Sequence, residues 1–176
     1  MSTNKSSLKV LNLDFDDLKE SFSTFLASQD KFKDYNDKYG LEKGDEVIKE
    51  TARILIKNVR AIGGSNAFIG HIGGDDFVFI AHNDLMDQVC QTVIADFEKK
   101  IPSFYSKEDY ERGSIISKDR QGKTQTFGLL SISVGVVSNS DQNISHVAQI
   151  AEIGAELKQF AKASDKSNFV RDKRHT

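Results

Sequence analysis

Two runs of β-forming residues, Ala67 to Ile72 and Phe77 to Ala81, are separated only by Gly73-Gly74-Asp75-Asp76. So short a link between extended segments closes as an antiparallel hairpin, and the rest of the chain has to be arranged around it. The paired glycines can adopt positive φ at no steric cost, and the acids that follow set carboxylates at the rim of a sheet. Helical patterns lie on either side. From Asp45 onward Val47, Ile48, Thr51, Ala52, Leu55 and Val59 recur at helical spacing and stop near Gly63-Gly64. Leu85, Met86, Val89, Val93 and Phe97 mark a second helix, and Ile144 to Ala163 a third. Leu129 to Val137 has the length and branching of a buried strand, and Phe169-Val170 reads as a short last one. This alternation predicts an α/β (α+β) fold, a central mixed or antiparallel sheet flanked by helices.

Two stretches are less determined. Leu18, Phe22, Phe25, Phe32 and Tyr39 fit one long helical stripe, while Phe22 to Ala27 also fits a strand. Residues 103 to 126 are polar, with Arg120-Gln121-Gly122-Lys123 a turn between two short strands. This excursion, which carries Tyr105, Tyr110 and Arg112, reads as a solvated hairpin or a contact surface.

Composition narrows the function classes. At 176 residues with 38% hydrophobic content the chain can bury a core, and one domain over residues 21–176 is expected, preceded by an extension over residues 1–20 that is helical or a rearranged first strand. Lys and Arg number 24 against 26 Asp and Glu, a net charge of −2, so neither nucleic acid nor a membrane surface is an expected partner. A lone cysteine, Cys90, cannot form an internal disulfide, and no apolar run approaches a membrane span, which points to the cytoplasm.

The chemistry concentrates in two places. Carboxylates beside a glycine turn suit Mg²⁺ or Mn²⁺, ions that favour a few carboxylates together with phosphate oxygens. Upstream, Phe32-Lys33-Asp34-Tyr35-Asn36-Asp37 is followed by Gly44-Asp45-Glu46-Val47-Ile48. FKDYND, GDEVI, GGDDF, SISVG and Ala161-Lys162, taken in order, resemble the GGDEF family, the diguanylate cyclases of bacterial cyclic di-GMP signalling. The resemblance covers about residues 21 to 170 and implies a nucleotidyl-cyclase or palm-like fold that holds GTP or a related guanine nucleotide. It implies further that Asn36 and Asp45 read the guanine edge and that Gly73 and Gly74 make room for the nucleotide. Lys162 and Lys166 would hold terminal phosphates, Lys33 matches the basic residue of the FK pair among the nucleotide-binding residues, Asp75 would ligate the metal, and Asp75 with Asp76 would form the catalytic pair. In the family two such domains face each other, each 3′-hydroxyl attacking the other's α-phosphorus, so a homodimer and a sensor or effector protein are implied partners.

Departures from the family pattern bear on activity. Counted back from Asn36, the first metal-binding Asp falls on Ser28, and a hydroxyl lacks the charge a two-carboxylate site needs. Losing ~3 kcal/mol of transition-state stabilisation would slow the reaction roughly 10²-fold. In a rival register Leu8 to Asp14 is the metal-bearing strand and Asp14 supplies the carboxylate. Asp76 stands where the family has Glu, Lys166 where it has Arg, and His71 where an Arg precedes the hairpin. His71 is expected to be a strand residue with a satisfied ring. Gly64 and Ala67 occupy the positions of the family's product-inhibition motif and cannot clasp a phosphate or a guanine. The expectation is therefore a degenerate cyclase that binds guanine nucleotide, or acts as a regulatory or dimerising module, with little or no synthesis. The alternatives are an active cyclase and an interaction domain that no longer binds nucleotide.

Overall fold

The structure, a computed structural model, describes residues 22–64, 67–118, 123–139, 144 and 146–172. Its spine is β1 (Phe22–Asp30), which leads through Lys31 into α1 (Phe32–Tyr39) and, after Gly40, α2 (Leu41–Ile62). The hairpin β2 (Phe68–Gly73) and β3 (Asp76–His82) comes next, then α3 (Met86–Lys100), α4 (Lys107–Arg112) and a second hairpin, β4 (Ser114–Lys118) with β5 (Thr124–Gly128). The chain returns through β6 (Ser131–Ser138), α5 (Val147–Lys162) and β7 (Asn168–Arg171). The five-stranded sheet has the order β2-β3-β1-β6-β7, with β6 and β7 parallel and the other neighbours antiparallel. This is the central mixed sheet expected from the α/β alternation.

Helices cover both faces. Phe77, Phe79 and Ala81 of β3 and Val134 and Val136 of β6 join Val47, Leu55 and Val59 of α2 and Val89, Val93 and Phe97 of α3 in the main core. On the opposite face Val137 packs with Ile150 and Leu157 of α5. Because β6 has helices on both faces, every one of its residues is buried, the serines Ser131, Ser133 and Ser138 along with the Ile and Val positions between them. Asn58, buried in α2, donates to the Ile54 carbonyl and to Asp96 of α3 at 2.9 Å, and these bonds hold the Asp96 carboxyl below its ordinary pKa.

The ambiguous N-terminal stretch resolves as a strand, not as one helical stripe. β1 ends where Lys31 takes a left-handed conformation, φ 63°, and the helical pattern begins only after that break. Leu18, Asp14 and the expected extension over residues 1–20 lie outside the described residues. So do Arg120, Gln121 and Gly122 of the expected turn, although β4 and β5 pair on either side of it. α2 starts at Leu41, before the first apolar position of its pattern. The polar excursion also contains α4, which the sequence reading does not anticipate; Ser106 caps it by accepting from the Asp109 amide at 3.2 Å.

One close approach fixes α5 on the sheet. A methyl group built on Gly135 of β6 would lie 2.5 Å from the Gly154 carbonyl oxygen and 2.8 Å from the Lys158 backbone nitrogen. Helix backbone therefore rests directly on strand backbone. Gly135→Ala is expected to destabilise the fold by about 1–3 kcal/mol through overpacking, read as a Tm loss of roughly 2–4 °C per kcal/mol in a domain of this size. An unchanged thermal melt would show that α5 does not seat there.

Candidate functional site

The β2–β3 turn is tight. Gly73 pairs with Asp76, the ladder shifts between His71 and Gly73, and Gly74 and Asp75 form the loop. Gly73 has φ 144° and Gly74 φ 57°, both left-handed, so the two glycines serve the path of the backbone. A methyl group on either would meet nothing within 4 Å, so the turn opens on free space. His71 lies in β2, donates from Nε2 to the Gly74 carbonyl at 2.9 Å and stacks on Phe77 with ring centroids 4.6 Å apart. The ring is thus engaged in bracing the turn.

Register sets what faces the turn. β1 places Ser28 directly opposite Asp76 on one side and opposite Ser133 of β6 on the other. One step along, Leu26 pairs with Val78 and with Gly135, the seat of α5. From that seat Lys158 extends to the turn, and its Nζ lies 2.8 Å from Asp76 Oδ1. The lysine side chain is 13% exposed. The sequence reading missed Lys158, yet a signal existed, since it stands one helical turn before Lys162 and two before Lys166.

The carboxylates near the turn are Asp75, half-buried in the loop, and Asp76, already bonded to an ammonium. Among the described residues no group of three His, Cys, Asp or Glu side chains converges as a metal nest. The donor set suits one ion held by Asp75 and nucleotide phosphates better than a two-carboxylate cage.

The expected base-reading residues meet where α1 passes α2. A methyl group on Gly44 would fall 1.8 Å from Asn36 Oδ1, so the Asn36 amide lies against the Gly44 backbone, next to the exposed Asp45. Asn36 Oδ1 is buried without a hydrogen-bond partner, which costs about 1–3 kcal/mol unless a donor arrives. Lys33 is exposed in the first turn of α1, which starts directly after β1 and so at the same end of the sheet as Asp76. Lys162 closes α5 half-buried, and Lys166 is exposed just beyond it. Lys166 lines a cleft of about 800 Å³ together with Lys31, Gly128, Asp165 and Ser167, whose walls do not include Asn36 or the Gly73–Asp76 turn.

Comparison with known proteins assigns the family. Residues 3–166 match the family described as "Diguanylate cyclase, GGDEF domain". The chain belongs to the GGDEF domain family. Over 77 residues it is 34% identical to diguanylate cyclase DgcS of Shewanella oneidensis, a match covering 43% of this chain and 25% of that protein. The chain thus spans about a quarter of the length of that relative. Among solved structures it is similar to an EAL/GGDEF domain protein from M. capsulatus, with TM-score 0.63 and 18% identity over 96% of this chain and 98% of that one. It is also similar to the active GGEEF domain of a diguanylate cyclase from Vibrio cholerae, with TM-score 0.58 and 18% identity over 89% and 87%. At these identities the structures establish the fold.

In this GGDEF domain the polar excursion braces the helix that carries Asn36. Tyr35 and Tyr39 stack with centroids 4.8 Å apart, and Tyr105 meets both edge-on. Tyr35 donates to the Phe104 carbonyl at 2.8 Å, Tyr105 accepts from the Leu130 amide at 2.8 Å, and Tyr39 donates to Asp109. Burial pushes the Tyr35 hydroxyl up to about 12. The Tyr39 hydroxyl, helped by Arg112, holds the buried Asp109 carboxyl below its ordinary value of 3.8. A depressed carboxyl stabilises the fold above its unfolded pKa and loses that contribution as pH falls through the folded value. Tyr39→Phe should therefore cost about 1.5–3 kcal/mol at neutral pH, and the gap should narrow in acid. Urea denaturation at pH ~7 and pH ~3 checks this; an equal gap at both would mean that Tyr39 is not bonded to the carboxylate.

Proposed function

We propose that this chain is a guanine-nucleotide-binding regulatory GGDEF domain of cyclic di-GMP signalling, with little or no synthesis of its own. The observation that carries nucleotide binding is the buried, unpaired Asn36 Oδ1 set against Gly44 beside Asp45. The N1–H and N2–H groups of guanine are donors of the kind that oxygen lacks, and the Asp45 carboxylate is a second acceptor for the same edge. Gly73 and Gly74 leave open space at the turn for the phosphates, with Lys33, Lys162 and Lys166 as their counter-charges. Where Mg²⁺ or Mn²⁺ accompanies the nucleotide, Asp75 is the carboxylate that would meet it.

Weak or absent synthesis is supported by the opposition of Ser28 to Asp76 and by the ammonium already on Asp76. Condensing two nucleotides depends on concentrating positive charge at the transferring phosphoryl group, and this end of the sheet has fewer carboxylates to recruit it. The domain we assign spans residues 21–176, and a homodimer or a sensor or effector protein is the proposed partner. No helix among the described residues is long and apolar enough to cross a membrane, which is compatible with the cytoplasmic site we assign. A second reading, an active cyclase, is favoured by the curated relative DgcS, itself a diguanylate cyclase.

Thermal melts separate these readings. GTP at about 100 times its dissociation constant should add about 2.7 kcal/mol, a rise of roughly 5–10 °C. Asn36→Ala and Asp45→Ala should each weaken binding at least about tenfold, because a base-edge bond goes unmade. A flat melt at millimolar GTP would leave an interaction-only domain, and robust cyclic di-GMP formation from GTP with Mg²⁺ or Mn²⁺ would establish the active cyclase instead.

A further inference from the structure

We infer that Lys158 is a resident cation, occupying beside Asp76 the place of a divalent ion, and that this domain holds the phosphates of GTP without needing the metal. A divalent ion does not fit on Asp76. A divalent ion on Asp76 would sit next to an ammonium 2.8 Å from Oδ1, and two cations on one carboxylate repel strongly at that range. The position opposite Asp76 in the register is Ser28, whose hydroxyl carries no charge.

Lys158 is held in place by the fold. Its backbone nitrogen lies over Gly135, where a methyl group would clash at 2.8 Å, so the stem starts against the sheet surface. Gly135, Leu26 and Val78 form one row across β6, β1 and β3, and Ser133, Ser28 and Asp76 form the next row on the same face. The side chain therefore runs from one row to the next and reaches Asp76 with 13% of its surface exposed. The ammonium brings a positive charge to the turn, and its three Nζ hydrogens leave donors to spare for a phosphate oxygen once Asp76 has taken one. Lys162, one turn further along α5, continues the same line of positive charge toward the helix end. A single ammonium also delivers half the charge of Mg²⁺, so it can bind a polyphosphate while giving less support to the charge that builds up on phosphoryl transfer. Retained binding with lost turnover is the combination this site is expected to show.

The nucleotide half of this inference rests on the reading of the domain as a GTP binder, and the metal half does not. Titrating the protein alone with Mn²⁺, followed by the paramagnetic signal of free Mn²⁺, reads the metal half. Wild type should take up Mn²⁺ at least about tenfold more weakly than Lys158→Met, in which the competing charge is gone and the apolar stem remains. Lys158→Gln, which keeps a polar partner for Asp76, should behave as Lys158→Met does, and circular dichroism establishes that both are folded. Equal Mn²⁺ affinity in wild type and both variants would overturn the inference. GTP binding by calorimetry, in Mg²⁺ and in EDTA, reads the other half. Wild-type affinity should change less than about threefold on chelation, and Lys158→Met should lose at least about tenfold. A wild type whose GTP affinity falls tenfold in EDTA would also overturn it. If GTP fails to bind under either condition, the nucleotide reading falls, and the Mn²⁺ titration still decides the role of Lys158.

Discussion

The hydrogen-bonded ladders on both edges of β1 govern the geometry of this domain. Antiparallel pairing allows no drift, because slipping by one residue would send each β1 position to the opposite face of the sheet. With β3 on one side and β6 on the other, the register is pinned twice, and Ser28, Asp76 and Ser133 fall in one row. The same strand ends at Lys31, whose left-handed backbone turns the chain straight into α1, so Lys33 and Asn36 are delivered to the end of the sheet where the glycine turn lies. A domain whose central strand also launches its ligand-binding helix couples fold and site closely, and damage to one ladder displaces the site as a whole.

The charge balance at that end follows from packing. α5 can rest on β6 only because position 135 lacks a side chain, and the approach brings Lys158 over the sheet within reach of Asp76. A partly buried ion pair of this type contributes little net stability, since desolvation offsets much of the attraction. Its consequence is electrostatic. One of the two acids of the turn is paired by the protein itself, which leaves Asp75 as the turn's other carboxylate. Lys33 in the first turn of α1, Lys162 at the end of α5 and Lys166 just beyond it add further positive charge. The end of the sheet thus favours a polyanion more than a metal.

Much of this was legible in the sequence. The hairpin was readable because four residues between two β runs leave the chain no alternative, and α2 because Val47, Thr51, Leu55 and Val59 repeat without interruption. β1 was not, since a central strand with helices on both faces of its sheet need not alternate, and Phe22, Phe25 and Phe32 suit a helical stripe just as well. α4 escaped because a six-residue helix has too few turns to show a period, and its ends are set by the side chain of Ser106 and the left-handed Gly113. Family motifs drew attention to Asn36, Asp45 and the glycine turn, whereas Lys158 is brought to Asp76 by a tertiary contact at Gly135 that no local pattern encodes.

The aromatic brace gives the site its other constraint. α1 has two turns, too short to hold its shape unaided, so the position of Asn36 is only as firm as the contacts that Tyr35 and Tyr39 make with segments some seventy residues later. Those contacts reach Phe104, Asp109 and Tyr105, and through the Tyr105 hydroxyl the Leu130 amide at the entry to β6. The excursion that looked in sequence like a solvated hairpin is thus the outer wall of α1, the helix that carries Asn36. Its outer surface includes the exposed Tyr110 and Ile116. A displacement of α4 would shift Tyr39, and with it α1, while β1 and the turn stayed in register. The two halves of the candidate pocket are therefore held by different parts of the chain: the phosphate side by the ladders of the sheet, the base side by three tyrosines. Tyr35, 1% exposed, ties the second of these into the main core as well.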